Sequence, residues 1–320
     1  MNYRQLGKSG LQVSEIGLGT NMYGRQVPDA EGVLAILKRA LDSGINFIDT
    51  SNNYGGGLSE ELIGKATKGI RGRFIIATKV GGPLGQSRDP NTGRASRSHI
   101  MDQVEVSLRR LQTDYIDLYQ IHFPDPRTPI EETLGALDDL VHQGKVRYIG
   151  CSNYAAWQAA EALWTSRMLH LSSYASVQPQ YSLLDRRIEG ELVPFCQAYG
   201  MGIIPFSPLA GGFLTGKYRR GEAIPQGVRG YNSSYFAQRV MTERNWAILM
   251  RLEAFASERG YPMGQLALAW LLANPSVSTV IAGASKPEQV EENAKATELR
   301  LTPEDLKELD AITRGDGARD

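Results

Sequence analysis

The chain has 320 residues, with 35 Lys and Arg balanced by 35 Asp and Glu and 42% hydrophobic residues. Zero formal charge leaves no basic surplus to neutralise phosphates, which argues against sequence-independent binding of nucleic acid. The length suits one large core, and a (β/α)8 barrel of about 250 residues with added loops and termini fits it as a single domain over residues 1–320.

The opening, MNYRQLGKSG, lacks the apolar stretch of a secretory signal. The longest apolar run, LALAWLLA from Leu266, is far shorter than the roughly 20 residues that cross a bilayer. Two cysteines, Cys151 and Cys196, suit a reducing compartment, and the four histidines show no metal-binding spacing. The expectation is a cytoplasmic protein without metal or membrane partner; the sequence leaves its oligomeric state open.

In chain order, YRQLGKSGLQVSEIGLGT begins with two short strand-like pieces around GKSG, which predicts a β-hairpin ahead of the main fold. Eight apolar β-type runs follow: EIGLGT, INFIDT, RFIIATK, YIDLYQIH, VRYIGCSN, YASVQPQ, MGIIPFS and VSTVIAGAS. Between them lie segments such as EGVLAILKRALDSG, SHIMDQVEVSLRRLQ, IEETLGALDDLVHQG and NWAILMRLEAFASERG, whose apolar residues recur at three and four and which often end in Gly. This alternation predicts an α/β protein with a parallel sheet covered by helices. The strand count favours a (β/α)8 TIM barrel over an open doubly wound sheet. So do the strand ends, which are polar or Gly: Asp49, Lys79, His122, Ser152 and Asn153, Gln178, Ser207 and Gly283. A barrel gathers all such ends at one rim. The longest irregular stretch covers residues 208–242.

Asp49, Lys79 and His122 end three consecutive runs, and Tyr54 follows Asp49 in SNNYGGG. Adjacent parallel strands bring the four to one corner of the rim. A free tyrosine holds its proton to a pKa of about 10. A neighbouring ammonium favours the phenolate, so Lys79 lowers that value, while Asp49 keeps Lys79 charged and oriented. His122 can hydrogen-bond a substrate oxygen. Together they make a proton donor and an oxyanion site for a carbonyl that receives hydride. Singly, each residue reads as blandly: a solvated Lys, a packed Tyr, a hydrogen-bonded core His. Their alignment on successive strands is what the bland reading lacks.

The stretches GINFIDTSNNYGGGLSEELIG, RFIIATKVG, LRRLQTDYIDLYQIH, VRYIGCSNY, VQPQYSLLDR, PFSPLAGGFLTGKY and VIAGASKPEQVEEN span nearly the whole chain. In this order they resemble the aldo-keto reductase family, most closely its bacterial branch related to potassium-channel β subunits. The resemblance implies an oxidoreductase that reduces aldehydes and ketones to alcohols with NADPH (NADH as an alternative), reversibly, with Tyr54 as general acid and Asp49, Lys79 and His122 completing the catalytic tetrad. It implies that Ser152, Asn153 and Gln178 hold the nicotinamide carboxamide and that Phe206 stacks on its ring. Ser207, Pro208 and Leu209, with Gly211 and Lys217, would line the pyrophosphate. Gly283, Ser285, Lys286, Gln289, Glu292 and Asn293 would clamp the adenosine phosphate, and Gly19, Thr20 and Asp49 complete the cofactor set. Ser152 and Asn153 also read as a helix N-cap before YAAWQAAEALW. Relatives often carry Trp where this chain has Phe123, and Lys and Arg where it has Gly283 and Gln289; Lys286 and Ser285 are the expected replacements.

Two motifs are decoys. GLGTNM has Met22 at the third glycine of a dinucleotide fingerprint and lacks the later acidic strand end. GGFLTGKY has Tyr218 where a phosphate loop needs Ser or Thr, and no helix is predicted after it. Two rival functions stand: a slow-turnover NADPH-binding, redox-sensing regulatory subunit, and an aldolase with Lys79 as Schiff-base nucleophile, against which the Asp49 partner argues. Loops 81–95 and 216–235 carry Arg88, Arg94 and Arg229, each read first as a solvated surface charge and second as a contact for an anionic substrate.

Overall fold

The computed structural model describes residues 1–82, 94–222, 224 and 234–314; Arg88 and Arg229 lie outside the described residues. Strands β1 (Tyr3–Gln5) and β2 (Gln12–Ser14) form the expected antiparallel hairpin. The other eight are β3 (Ile16–Gly19), β4 (Phe47–Asp49), β5 (Ile75–Val80), β6 (Ile116–Ile121), β7 (Val146–Ser152), β8 (Ser176–Gln178), β9 (Gly202–Ile203) and β10 (Val280–Gly283). They form one parallel sheet in the order β10-β3-β4-β5-β6-β7-β8-β9. The sheet closes on itself. Ile203 N–H donates to the Ser276 carbonyl at 2.9 Å, Ser278 N–H to the Ile203 carbonyl at 2.9 Å, and Ile281 N–H to the Pro205 carbonyl at 3.0 Å. A (β/α)8 barrel with an N-terminal hairpin is the observed architecture.

The helices form where the apolar spacing and caps place them. Helix α1 (Ala30–Asp42) starts at Asp29, whose carboxylate accepts from Gly32 N–H at 2.8 Å, and turns Val33, Ile36, Leu37 and Ala40 to the sheet. Helix α2 (Leu58–Ala66) follows the Tyr54 turn, and α3 (Arg97–Leu111) is capped by Ser96. Helices α4 (Ile130–His142), α5 (Ala156–Met168) and α6 (Leu192–Tyr199) continue the ring. The irregular stretch after β9 holds a 3-10 segment, Ala210–Thr215, and the short α7 (Ser234–Arg239), both too short to show a period. Helix α8 (Glu243–Arg259) runs from its Thr242 cap to Gly260. Next come α9 (Met263–Leu272), which contains the LALAWLLA run, α10 (Pro287–Ala294) and α11 (Pro303–Arg314). Arg259 on α8 pairs with Asp305 and Glu308 of α11 at 2.8 and 2.6 Å, fixing that outer helix pair.

Strand alternation sorts the interior into layers. Phe47, Ala77 and Leu118 point inward with Ile204, Ile281 and the hairpin's Leu6 and Val13, forming an apolar plug. Each fully buried side chain of this kind contributes about 1.5–3 kcal/mol. Two residues further along the same strands, on the same inward side, stand Asp49, Lys79 and Gln120. The intervening Ile48 and Tyr119 face the helices in the larger outer core, and Thr78 points the same way, to Glu60 on α2 at 2.7 Å. The bottom of the ring is thus apolar and its top polar, and the polar layer opens at the strands' C-terminal rim.

Candidate active site

Lys79 is fully buried; its ammonium donates to Asp49 Oδ2 at 2.5 Å, the Thr50 carbonyl at 2.9 Å and the Tyr54 hydroxyl at 3.3 Å. Burial alone would lower the Lys79 pKa, but the Asp49 carboxylate and Tyr54 outweigh it, and the net shift is upward. Lys79 is therefore an ammonium, which leaves no free amine for the Schiff-base reading. Asp49 Oδ1 in turn accepts from Gln178 Nε2 at 2.8 Å and Gln120 Nε2 at 3.3 Å. Gln120 was not among the sequence-selected residues; its place two residues before His122 on one strand face is the signal that could have found it.

Tyr54 opens a short 3-10 turn whose next three residues, Gly55, Gly56 and Gly57, all have positive φ (60°, 70° and 101°). The glycines let the chain double back and point Tyr54 at Lys79. The Tyr54 ring meets His122 edge-on, with centroids 5.9 Å apart, and Phe123 stacks on the imidazole at 4.7 Å and 16°. Burial and the nearby Lys79 charge lower the His122 pKa from 6.5 to about 3, so the imidazole is neutral at ordinary pH. His122 Nδ1 lies 3.1 Å from the Ser51 hydroxyl, a contact the sequence reading missed.

Asp49, Tyr54 and His122 border a cavity of about 850 Å³ at the rim, with Lys79 buried beneath it. The same cavity brings together Gly19, Thr20, Ser152, Asn153, Gln178, Phe206, Ser207, Pro208, Leu209, Gly211, Lys217, Gly283, Ser285, Lys286, Gln289, Glu292 and Asn293. It also exposes Asn21, Met22, Gln26 and Gln180, which no strand-end pattern singled out.

Ser152 donates to the Gln178 carbonyl at 2.8 Å, and Asn153, at φ 61°, donates through Nδ2 to the His122 carbonyl at 2.9 Å. Neither caps α5. Its N-cap is Ala155, whose N–H donates to Gln158 at 3.0 Å, so the helix reading of Ser152 and Asn153 is replaced by a rim position. After β9, Ser207 and Ala210 take left-handed φ of 54° and 47°, uncommon for residues with a Cβ. This turn carries Phe206 to Leu209 across the cavity. Lys217 makes no ion pair among the described residues, and burial lowers its pKa. On the opposite wall Gly19 and Gly283 are paired neighbours, and Lys286 is the N-cap residue of α10.

Among the described residues, no cluster of His, Cys, Asp and Glu could hold a metal ion, and no helix is long and apolar enough to cross a membrane.

A closed parallel barrel whose polar cavity opens at the strand C-termini is the arrangement in which barrel enzymes carry their active sites. The sequence profile of the aldo/keto reductase family matches residues 15–314, and the chain belongs to that family of oxidoreductases. A Schizosaccharomyces pombe protein that bears the name "Putative voltage-gated potassium channel subunit beta" is 41% identical over 97% of this chain and 92% of its own length. The L-glyceraldehyde 3-phosphate reductase of Escherichia coli K12 is 36% identical over 97% of this chain and 92% of its own. Aldo-keto reductase YhdN of Bacillus subtilis is 35% identical over 98% and 93%.

Proposed function

We propose that the chain reduces aldehydes or ketones to alcohols with NADPH, NADH serving less well, and catalyses the reverse oxidation with the same groups. The observation that carries this reading is the ammonium of Lys79 held between Asp49 Oδ2 at 2.5 Å and the Tyr54 hydroxyl at 3.3 Å, under a cavity of about 850 Å³.

The cavity's chemistry fits the cofactor. The amide donors of Asn153 and Gln178 are engaged, by the His122 carbonyl and Ser152 for one and by Asp49 and Gln120 for the other. Their carbonyl ends make no hydrogen bond among the described residues and suit the NH2 of a carboxamide. The bare backbones of Gly19 and Gly283 permit close approach, and Lys217 offers an uncompensated positive charge to a pyrophosphate. Lys286, beside the amino end of α10, is placed to favour a 2′-phosphate.

When bound, the reduced nicotinamide supplies the hydride. Tyr54 gives its proton to the carbonyl oxygen as charge develops there. Lys79 stabilises the phenolate left behind, Asp49 holds Lys79 in place, and neutral His122 hydrogen-bonds the oxygen and orients it.

Tyr54→Phe tests the reading. Turnover of an aldehyde panel, followed by NADPH absorbance, is expected to fall by about 10²–10⁴ with NADPH binding kept; undiminished reduction would refute it. The 41% identity to a named channel subunit favours a second reading, an NADPH-binding subunit that turns over slowly. Steady-state turnover set against the rate of cofactor release separates the two.

A further inference from the structure

Gln120 has no exposed surface and sits on β6 beside Lys79 of β5, facing the interior. A buried primary amide costs free energy unless its polar atoms are met. Gly150 on β7 makes room for it: an added Cβ there would come within 3.3 Å of Gln120 Cγ. The two polar ends of Gln120 reach two different parts of the site. Nε2 donates to Asp49 Oδ1 at 3.3 Å, and Oε1 accepts from Gln178 Nε2 at 3.3 Å.

Charge decides how both amides are turned. The Asp49 carboxylate, with its other oxygen on the Lys79 ammonium, can only accept, so Gln120 and Gln178 each present an NH2 to it. Gln178 has a second N–H, and Gln120 Oε1 takes it. With both N–H groups engaged, the end of Gln178 left for a ligand is its carbonyl oxygen, and Gln178 borders the cavity. Asp49, Gln120 and Gln178 thus close a ring of three hydrogen bonds. It joins the ion pair under Tyr54 to the wall that suits the carboxamide.

We propose that Gln120 is a positioning residue: by donating to Asp49 and accepting from Gln178 it holds the carboxylate that orients Lys79 and the amide that faces the nicotinamide in one register. This rests on the reading of the cavity as the NADPH site. Gln120 lies below the cavity rather than on its wall, so it acts through its two partners.

The test compares Gln120→Met and Gln120→Glu with wild type in the full chain. It measures kcat for an aldehyde and the NADP dissociation constant from pH 5 to 9, each as a ratio to wild type at the same pH, with thermal unfolding of each variant. Gln120→Met keeps the volume but has no donor and only a weak acceptor. Its kcat is expected to fall about tenfold and its dissociation constant to rise about threefold at every pH. In Gln120→Glu the introduced carboxyl, when protonated, donates to Asp49 and accepts from Gln178 as the amide does. When ionised it loses the donor and repels Asp49. Asp49 and Lys79 are the charged groups beside it. Burial and Asp49 raise its pKa above the ordinary value of about 4.3, and Lys79, already paired, offsets this in part. Both ratios are therefore expected near one at pH 5, reaching the Gln120→Met values as pH rises, through a single proton. A space-filling role predicts wild-type values in Gln120→Met and no such step. Gln120→Met at wild-type values, or ratios in Gln120→Glu that do not change with pH, overturn the proposal. If Gln120→Met does not fold, the Gln120→Glu ratios decide. A wild-type chain that binds NADP but reduces no aldehyde counts against the function above, and the dissociation constants then decide the role of Gln120.

Discussion

Lys79 and Asp49 form a buried ion pair at 2.5 Å, with the two side chains only 0% and 4% exposed. Removing the cation alone strands a carboxylate in the barrel. Lys79→Met is expected to lower stability by about 3–5 kcal/mol as well as to abolish turnover. The double variant Lys79→Met with Asp49→Leu is expected to recover much of that stability and none of the activity. Urea denaturation of both, alongside NADPH-linked assays, checks this.

His122 titrates at about 3 in the folded chain against 6.5 for an ordinary imidazole. Between these values the unfolded chain binds a proton that the folded one does not. Stability therefore falls as pH drops through that window and is indifferent to this group above it. The slope from His122 approaches about 1.4 kcal/mol per pH unit. Denaturation at pH 7, 6 and 5 is expected to show a shallower loss in His122→Gln than in wild type. The pH profile of kcat/KM is expected to show no His122 ionisation between pH 5 and 8.

Gly56 and Gly57 both have positive φ, but only one is crowded. A Cβ at Gly57 would lie 2.2 Å from the Arg110 guanidinium carbon, whereas one at Gly56 meets nothing within 4 Å. Gly56→Ala is expected to cost about 1–2 kcal/mol, the left-handed backbone penalty alone. Gly57→Ala costs more and displaces the Tyr54 turn, since Arg110 also holds the Asn52 carbonyl at 3.0 Å. Thermal unfolding and kcat of the pair separate strain from collision.

Lys286→Ala is expected to weaken NADPH binding about tenfold, roughly 1.4 kcal/mol, and to leave NADH nearly unchanged. Titration of both cofactors by quenching of protein fluorescence measures the difference.

The strands, the hairpin and the convergence of Asp49, Tyr54, Lys79 and His122 were legible because they follow from period-two alternation and from polar strand ends. The contacts of Ser51 and Gln120 were not. Ser51 lies past the end of β4, where alternation stops, and Gln120 sits within IDLYQI, a strand without a clean polar–apolar alternation, where only its spacing of two from His122 marks the inward face that the register with Lys79 shows. The α5 cap was misread for a similar reason: Asn153 adopts a left-handed φ that carries the chain away from the helix, and a nearby Ala with a Gln three residues on does the capping. Helix α2 lies in GGGLSEELIG, where the glycines that aim Tyr54 mask the start of a nine-residue helix.

Arg4 in β1 donates to the carbonyls of Leu272 and Val277 at 2.8 and 2.9 Å, and Ser278 Oγ donates to the Gln5 carbonyl at 2.9 Å. The hairpin thereby latches the joint between β9 and β10, the shortest stretch of pairing in the ring. Its partners lie some 270 residues downstream. During ribosomal synthesis the hairpin, though paired within itself, must wait for these carbonyls until the segment around residues 272–278 has left the exit tunnel, so the seam locks late, and a nascent chain halted before residue 272 cannot be latched.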